Sequence, residues 1–345
     1  MKTFLDEILE QPAVLRRCLD FYRGEQSHLR RSLRLPARSS IIFTGMGASL
    51  HAALPAVYYL NTRGLEAHLV DTAELLYHRL PLLSRNDCLV VVSQSGETVE
   101  IVRLLKRLGR HCPRLVAITN NPRSFLGRRA DHVLPLHAGA QRFASTKTYS
   151  ASLFAALLLA ALWAEATMGR LLTGLAVHFS AYERLMEAGL KLAPRLANAV
   201  GRARPVVLLG RGSSLASALQ GALLFKEVCA RPAEGMTGPQ FRHGPLELLA
   251  RPLSVLLFAP ADDTLPLNRR LRAEVLRHWA RLIWISARRD SERGVVPVPL
   301  PQLSVPALAP LFEIVPVQFL VRELARRQGR EPGRLRIASP VTRRE

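Results

Sequence analysis

Between Ser40 and Leu136 the apolar residues arrive in short continuous runs, separated by longer stretches with helical spacing. The runs Ile41 to Thr44, Ala67 to Val70, Cys88 to Val92, Leu115 to Ile118 and Val133 to Leu136 predict strands. Leu50 to Leu60, Ala73 to Tyr77 and Val99 to Leu108 predict the helices between them. A strand that is apolar at every position, rather than at alternate ones, is covered by helices on both faces. The pattern therefore predicts a doubly wound α/β domain on a parallel sheet, closed by a long helix from about Lys147 to Met168.

The pattern then restarts. A helix over Phe179 to Val200 leads to a strand at Val206 to Leu209, a helix at Leu215 to Ala230, a strand at Leu253 to Phe258, a helix at Asn268 to Ala280 and a strand at Leu282 to Ile285. Gly45-Met46-Gly47-Ala48-Ser49 follows the first strand of one half, and Gly210-Arg211-Gly212-Ser213-Ser214 follows the first strand of the other, 165 positions later. Duplication of an α/β unit is the economical explanation. Ahead of both, Phe4 to Tyr22 has helical spacing interrupted by Pro12 and reads as two short helices. Gly294 to Pro310 is Pro-rich and reads as extended, a last helix covers Leu311 to Arg327, and Gln328 to Glu345 has no periodicity.

Composition narrows the functional classes. The 345 residues include 48 Lys+Arg against 27 Asp+Glu, a formal net charge of +21, which ordinarily points to an anionic partner. Only five of the 48 are lysine, and the 43 arginines are spread over both halves without interleaved aromatics. Such a distribution fits a GC-rich codon bias better than a nucleic-acid face, so a nucleic-acid partner is not expected. The longest uncharged apolar stretch, Thr148 to Ala164, is shorter than the ~20 residues a membrane-spanning helix needs. No secretory leader opens the chain, and Cys18, Cys88, Cys112 and Cys229 stand singly, so neither a disulfide framework nor a metal site is indicated. The cytoplasm is the expected compartment.

Ser93-Gln94-Ser95-Gly96-Glu97-Thr98 lies between the strand ending at Val92 and the helix beginning at Val99. Hydroxyls and unpaired amides at a helix N-terminus, where the macrodipole adds positive potential, make a phosphate site, and Gly96 lets the amides converge. An ordinary Ser/Thr cap is the alternative, although a cap needs only one hydroxyl. No Walker lysine follows, which argues against a nucleoside triphosphate.

That turn resembles the sugar-phosphate loop of the SIS (sugar isomerase) domain family. Further stretches are similar to the isomerase portion of glutamine–fructose-6-phosphate aminotransferase and to amino-sugar-6-phosphate deaminases. They are Glu7-Ile8-Leu9-Glu10-Gln11-Pro12, Gly45 to Ser49, Ala144-Ser145-Thr146-Lys147, Gly221-Ala222-Leu223 with Lys226-Glu227, and Phe241-Arg242-His243-Gly244-Pro245. The resemblance implies two tandem doubly wound, flavodoxin-like SIS domains. Its boundaries would be a helical leader at 1–38, a phosphosugar-binding SIS domain at 39–170, a second SIS domain at 171–327 and a tail at 328–345 that closes the site. It further implies that Ser93, Gln94, Ser95, Gly96 and Thr98 hold the phosphate, and that Gly47, Ser49, Phe143, Ser145 and Lys147 line the sugar pocket. Glu227 falls on the proton-transfer glutamate. His243 falls on the ring-opening histidine, which the family takes from a neighbouring subunit, so a homodimer with shared active sites is implied. Neither metal nor cofactor is implied.

On the residues alone, Glu227 could equally pair with Lys226 or an arginine at the surface, and His243 could be a loop histidine. A carboxylate raised toward neutrality by desolvation does suit proton transfer beside a carbonyl, and an imidazole suits ring opening. In the second half Ala259-Pro260-Ala261-Asp262-Asp263-Thr264 puts acids where the first half has hydroxyls, so one sugar-phosphate site per chain is expected. Gln240 and Met236, with Phe143, are expected among the side chains that choose the substrate.

Lys2 follows Met1 where a glutaminase domain would begin with a nucleophilic cysteine, so release of ammonia from glutamine is not expected. Ile337 stands where the family's tail carries a lysine for the open-chain sugar, and isoleucine can neither form an imine nor donate a proton. Two functions result. One is a phosphosugar aldose–ketose isomerase or amino-sugar-6-phosphate deaminase acting on a hexose or hexosamine 6-phosphate; the other is a non-catalytic regulator that binds a sugar phosphate.

Overall fold

The structure, a computed structural model, describes residues 2–35, 39–109, 113–164, 168–201, 205–278, 280–288 and 292–337. Cys112 and the last eight positions of the tail lie outside them. Contacts divide the chain into two compact units, one of Glu10–Ala176 with Arg336–Glu345, the other of Met1–Leu9 with Val177–Leu335.

In the first unit helix α2 (Gln11–Ser32) precedes β1 (Ile41–Gly45), α3 (Ala48–Asn61) and β2 (Ala67–Asp71). Next come the single turn α4 (Thr72–Glu74), continued by a π-helical turn over Leu75–Arg79, then β3 (Cys88–Val92), α5 (Val99–Leu108), β4 (Arg114–Thr119), α6 (Phe125–Arg129) and β5 (His132–Pro135). Helices α7 (Lys147–Trp163) and α8 (Met168–Val177) follow. The five strands form one parallel sheet in the order β2-β1-β3-β4-β5, with Ile41 opposite Cys88 and Cys88 opposite Arg114. Every residue of β1 and β3 is buried, as their unbroken apolar runs require. Each buried Leu, Ile or Val side chain contributes about 1.5–3 kcal/mol, which makes the sheet centre a rigid base.

Helix α7 is apolar all round because nearly all of it is buried. It packs on α3 and α2, and two of the polar groups in its first turn are matched to the start of α2: Lys147 Nζ lies 2.7 Å from Glu10 Oε2, and Ser150 Oγ donates to Gln11 Oε1 at 2.7 Å.

The second unit contains α1 (Phe4–Leu9), α9 (Phe179–Val200), β6 (Val206–Gly210), α10 (Leu215–Cys229), β7 (Ala233–Thr237), α11 (Gly238–Arg242) and β8 (Leu253–Phe258). It continues with α12 (Leu265–Leu276), β9 (Ala280–Ser286), β10 (Val295–Pro299) and α13 (Ala309–Arg327). Its parallel sheet runs β10-β9-β8-β6-β7. Numbered within the unit, that is the first sheet's order over again. The glycines repeat too: Gly47 and Gly212 have φ of 50° and 51°. A Cβ on Gly45 would meet Ser49 and Leu50 backbone, and one on Gly210 would meet the equivalent Ser214 and Leu215. The two α/β units predicted from the sequence are thus present with one shared topology.

Several element readings are corrected. The leader is two helices, as expected, but they part at Glu10 rather than at Pro12, and the second is long: Pro12 sits in the first turn of a 22-residue helix, where its missing N–H would have no partner anyway. The helix from Lys147 ends at Trp163, and a separate one starts at Met168. The helix expected at Asn268 to Ala280 spans Leu265–Leu276, and Ala280 opens β9. Strands β7 and β10 lacked a continuous apolar run because both are sheet edges, where Glu234, Gly235, Pro297 and Pro299 are tolerated. Among the described residues no helix is long and apolar enough to cross a membrane.

Candidate functional site

In the first sheet the chain leaves β1 toward one edge and β3 toward the other, so the turns after these two neighbouring strands flank the topological switch point. In open α/β sheets ligands bind there, beyond the carboxyl ends of the strands. The Gly45–Ser49 turn approaches closely: a Cβ on Gly45 would lie 2.9 Å from the Val92 carbonyl oxygen, at the end of β3. Gly47 has φ 50° and is exposed, and Ser49 is half-buried in the first turn of α3.

The turn after β3 is held from within and from one side. Ser93 Oγ accepts the Gly96 N–H at 3.0 Å and Ser95 Oγ accepts the Glu97 N–H at 3.2 Å. Gly96, at φ 66°, takes a conformation that L side chains rarely adopt. Its carbonyl accepts the Leu126 N–H at 3.1 Å, and the Gln94 carbonyl accepts the Asn120 N–H at 3.1 Å. Glu97, the one acid of the turn, is directed to α6, where Oε1 accepts the Phe125 N–H at 2.7 Å.

Thr98 is the N-cap of α5, yet its side chain makes no capping hydrogen bond. An ordinary cap would have used that hydroxyl. The opening amides of a helix have no acceptor within it, so Thr98 Oγ1 and the first turn of α5 together present donors at the positive end of the macrodipole. Gln94, Ser95 and Thr98 are all half-buried, whereas Ser93 is buried.

The segment from Leu136 to Thr148 forms a further part of the same unit. Gln141 Oε1 accepts from the Thr148 N–H at 3.3 Å and from its hydroxyl at 3.1 Å, which caps α7. Ser145 Oγ lies 2.8 Å from Thr148 Oγ1, and Phe143 is half-buried. Lys147 is buried, with its ammonium held by Glu10. Glu10, Gln11 and Gln141 therefore build this region without having been singled out by their chemistry; in sequence only the first two stood out, as part of the leader motif.

In the other unit Glu227 sits on α10. Burial pushes its carboxyl up to about 7, against the opposing pull of Lys226. Its Oε2 is buried and without a hydrogen-bond partner among the described residues, the state expected of a carboxyl kept poised near neutrality. His243 is exposed, directly after α11, and its N–H donates to the Gln240 carbonyl at 3.1 Å. Gln240 is exposed, and its side-chain oxygen and Thr237 form a reciprocal capping box. Met236 belongs to the hydrophobic core with Leu209 and Trp284, away from a substrate-choosing role. The turn after β8 is filled by its own acid, Asp262 Oδ1 accepting from Thr264 N–H at 2.8 Å and hydroxyl at 2.7 Å. Ile337 is fully exposed.

The sequence profile of the SIS domain matches residues 35–162 and 201–293. Glutamine–fructose-6-phosphate aminotransferase [isomerizing] of Pyrococcus horikoshii is 31% identical over 355 residues, a match covering 98% of this chain and 57% of that protein. The chain thus spans little more than half the length of this curated relative. Among solved structures, the C-terminal domain of glucosamine-fructose-6-phosphate aminotransferase from Francisella tularensis superimposes with a TM-score of 0.82 at 22% identity, covering 97% of this chain and 99% of that one. Glucosamine-6-phosphate deaminase from Thermotoga maritima does so with a TM-score of 0.80 at 19% identity, covering 99% of each chain. These two likenesses are of fold.

Proposed function

The chain belongs to the SIS domain family, and on that premise we propose that it is an enzyme acting on a hexose or hexosamine 6-phosphate, as an aldose–ketose isomerase or an amino-sugar-6-phosphate deaminase. The observation that carries the reading is the Ser93–Thr98 turn, where an unused cap hydroxyl stands over the N-terminus of α5 at a sheet switch point. A phosphate dianion accepts hydrogen bonds from such donors and is favoured by the helix field. Ser93, Gln94, Ser95 and Thr98 grip the phosphate, while Gly47, Ser49, Phe143 and Ser145 line the sugar. Lys147 supports them from its ion pair with Glu10.

Glu227 moves the proton between C1 and C2. A base for this step must be ionised to take the proton and able to return it, and a carboxyl near 7 does both at neutral pH. His243 opens the ring. Its exposure at the surface supports the family arrangement, in which the histidine serves a neighbouring copy, and the working unit is a homodimer. In the deaminase version the proton shift from C2 to C1 turns the C2 amine into an imine, and water adds to C2 and displaces ammonia to leave the ketose carbonyl.

Incubation with fructose 6-phosphate or glucosamine 6-phosphate in heavy water tests this directly. Deuterium at C1 or C2 of the recovered sugar is the expected result. A second reading, a regulator that binds the sugar phosphate without turnover, is favoured by one residue, Ile337 at the place of the family's tail lysine. For that reading, ligand would raise the melting temperature with no label incorporated.

A further inference from the structure

Three segments of the first unit meet at one residue that the functional reading leaves out. Asn120 follows β4 directly and is half-buried. Its backbone N–H donates to the Gln94 carbonyl of the Ser93–Thr98 turn at 3.1 Å. Its side chain turns to the other segment: Nδ2 donates to the Gly139 carbonyl at 2.7 Å, and Oδ1 accepts the Ala138 N–H at 2.9 Å. One asparagine thus uses its amide donor and its amide acceptor on consecutive backbone groups, while its own backbone holds the phosphate turn. The Thr119 hydroxyl adds a weaker bond to the same Gln94 carbonyl at 3.4 Å.

The 136–148 segment is held at other places as well: the Leu136 N–H donates to the Thr119 carbonyl at 3.1 Å, and Cys18 Sγ donates to the Leu136 carbonyl at 2.9 Å. Arg17 Nε donates to the His137 carbonyl at 3.1 Å, and Lys147 is held by Glu10 at the far end. Those last two contacts tie the segment to α2. The side chain of Asn120 ties it to the turn.

We propose that Asn120 is a positioning residue that sets the separation between the phosphate turn and the segment carrying Phe143 and Ser145, and so matches the pocket to a phosphorylated sugar rather than to phosphate alone. The proposal rests on the phosphosugar reading above. It assigns Asn120 no contact with the ligand. Removing its side chain frees one edge of the pocket but leaves the Gln94 bond, which belongs to the backbone. Phosphate affinity then stays while sugar-phosphate affinity falls, because the sugar's partners are no longer held at the right distance.

The test compares two probes, inorganic phosphate and glucosamine 6-phosphate, by calorimetry on the wild-type protein and on Asn120→Ala and Asn120→Asp. Loss of one buried-edge tether is expected to weaken glucosamine 6-phosphate binding about tenfold. Inorganic phosphate binding should change less than about twofold, since its donors are untouched. Asn120→Asp keeps the acceptor for the Ala138 N–H and loses the donor to Gly139, so it should follow the alanine variant. It also decides the matter if the alanine variant does not fold. Equal losses for both probes, or no loss for either, overturn the positioning role. Wild-type protein that binds neither probe refutes the phosphosugar reading itself, and that is seen before any variant is compared.

Discussion

Gly96 faces Ser124 so closely that a Cβ on the glycine would lie 2.0 Å from the serine Oγ. Ser124 is itself fixed as the N-cap of α6, its Oγ accepting the Gly127 N–H at 3.2 Å, so it cannot step aside freely. The Ser93–Thr98 turn is therefore moulded against α6 as well as bonded to it.

Gly96→Ala meets this contact and also places a side chain at φ 66°. We expect a loss of about 2–4 kcal/mol in unfolding free energy, the sum of backbone strain and a clash that must be relieved. Adding Ser124→Gly removes the clash and not the strain, so the double variant should recover part of the loss. Chemical denaturation of the three proteins measures both steps; full recovery would show that φ contributes nothing.

Thr98 and Ser95 separate binding from stability. Thr98 makes no cap bond, so Thr98→Ala should leave the melting temperature unchanged while weakening phosphosugar binding by about 1–3 kcal/mol, the scale of a hydrogen bond to a charged group. Ser95 accepts the Glu97 N–H, so Ser95→Ala should lower both. Calorimetric titration beside thermal melts distinguishes the two. If Thr98→Ala binds as the wild type does, the phosphate lies elsewhere.

Glu227 should impose a pH profile. Its carboxyl is pushed up to about 7, and the base acts only when ionised, so the rate of deuterium exchange should rise with pH through that value and then level. Glu227→Gln should abolish exchange and leave phosphosugar affinity nearly intact, because binding energy comes from the phosphate turn. A variant that binds poorly would place Glu227 in the binding machinery instead.

Glu313 offers a stability test apart from catalysis. It is wholly buried on α13, accepts from Ser214 Oγ at 2.7 Å and Ser217 Oγ at 2.6 Å, and is pushed up to about 7 by desolvation, with Asp262 adding to the rise. The unfolded carboxyl titrates near its ordinary value of 4.5. Below that pH both states are protonated and the group adds no pH dependence. Between 4.5 and about 7 the unfolded state releases its proton first, so this residue removes stability as pH rises, and above about 7 the effect is complete. Glu313→Gln abolishes that term. Relative to the wild type it should gain about 3 kcal/mol between pH 4 and pH 8, read from denaturant midpoints at each pH. A difference that does not change with pH would mean the carboxyl is not so shifted.

Much of this molecule could be read along the chain. The fully covered strands β1, β3, β6 and β8 are continuous apolar runs because both of their faces need apolar partners, and such runs survive any rearrangement of their neighbours. The glycines at Gly45, Gly47 and Gly96, and the hydroxyls around them, were equally legible, since a tight turn before a helix demands particular residues locally. The duplication was visible for the same reason.

Tertiary structure alone decided the rest. Edge strands β7 and β10 carry polar residues and proline that only their position in the sheet permits. Met236 looks like a pocket residue until the sheet places it in the core. Glu10 reaches Lys147, and Asn120 reaches Gly139, across separations in sequence that no local pattern encodes. Periodicity reports which face of an element must leave water, and turn chemistry reports where the chain must bend. Neither reports which polar group will stand opposite which, because that depends on how elements far apart in the chain come to pack.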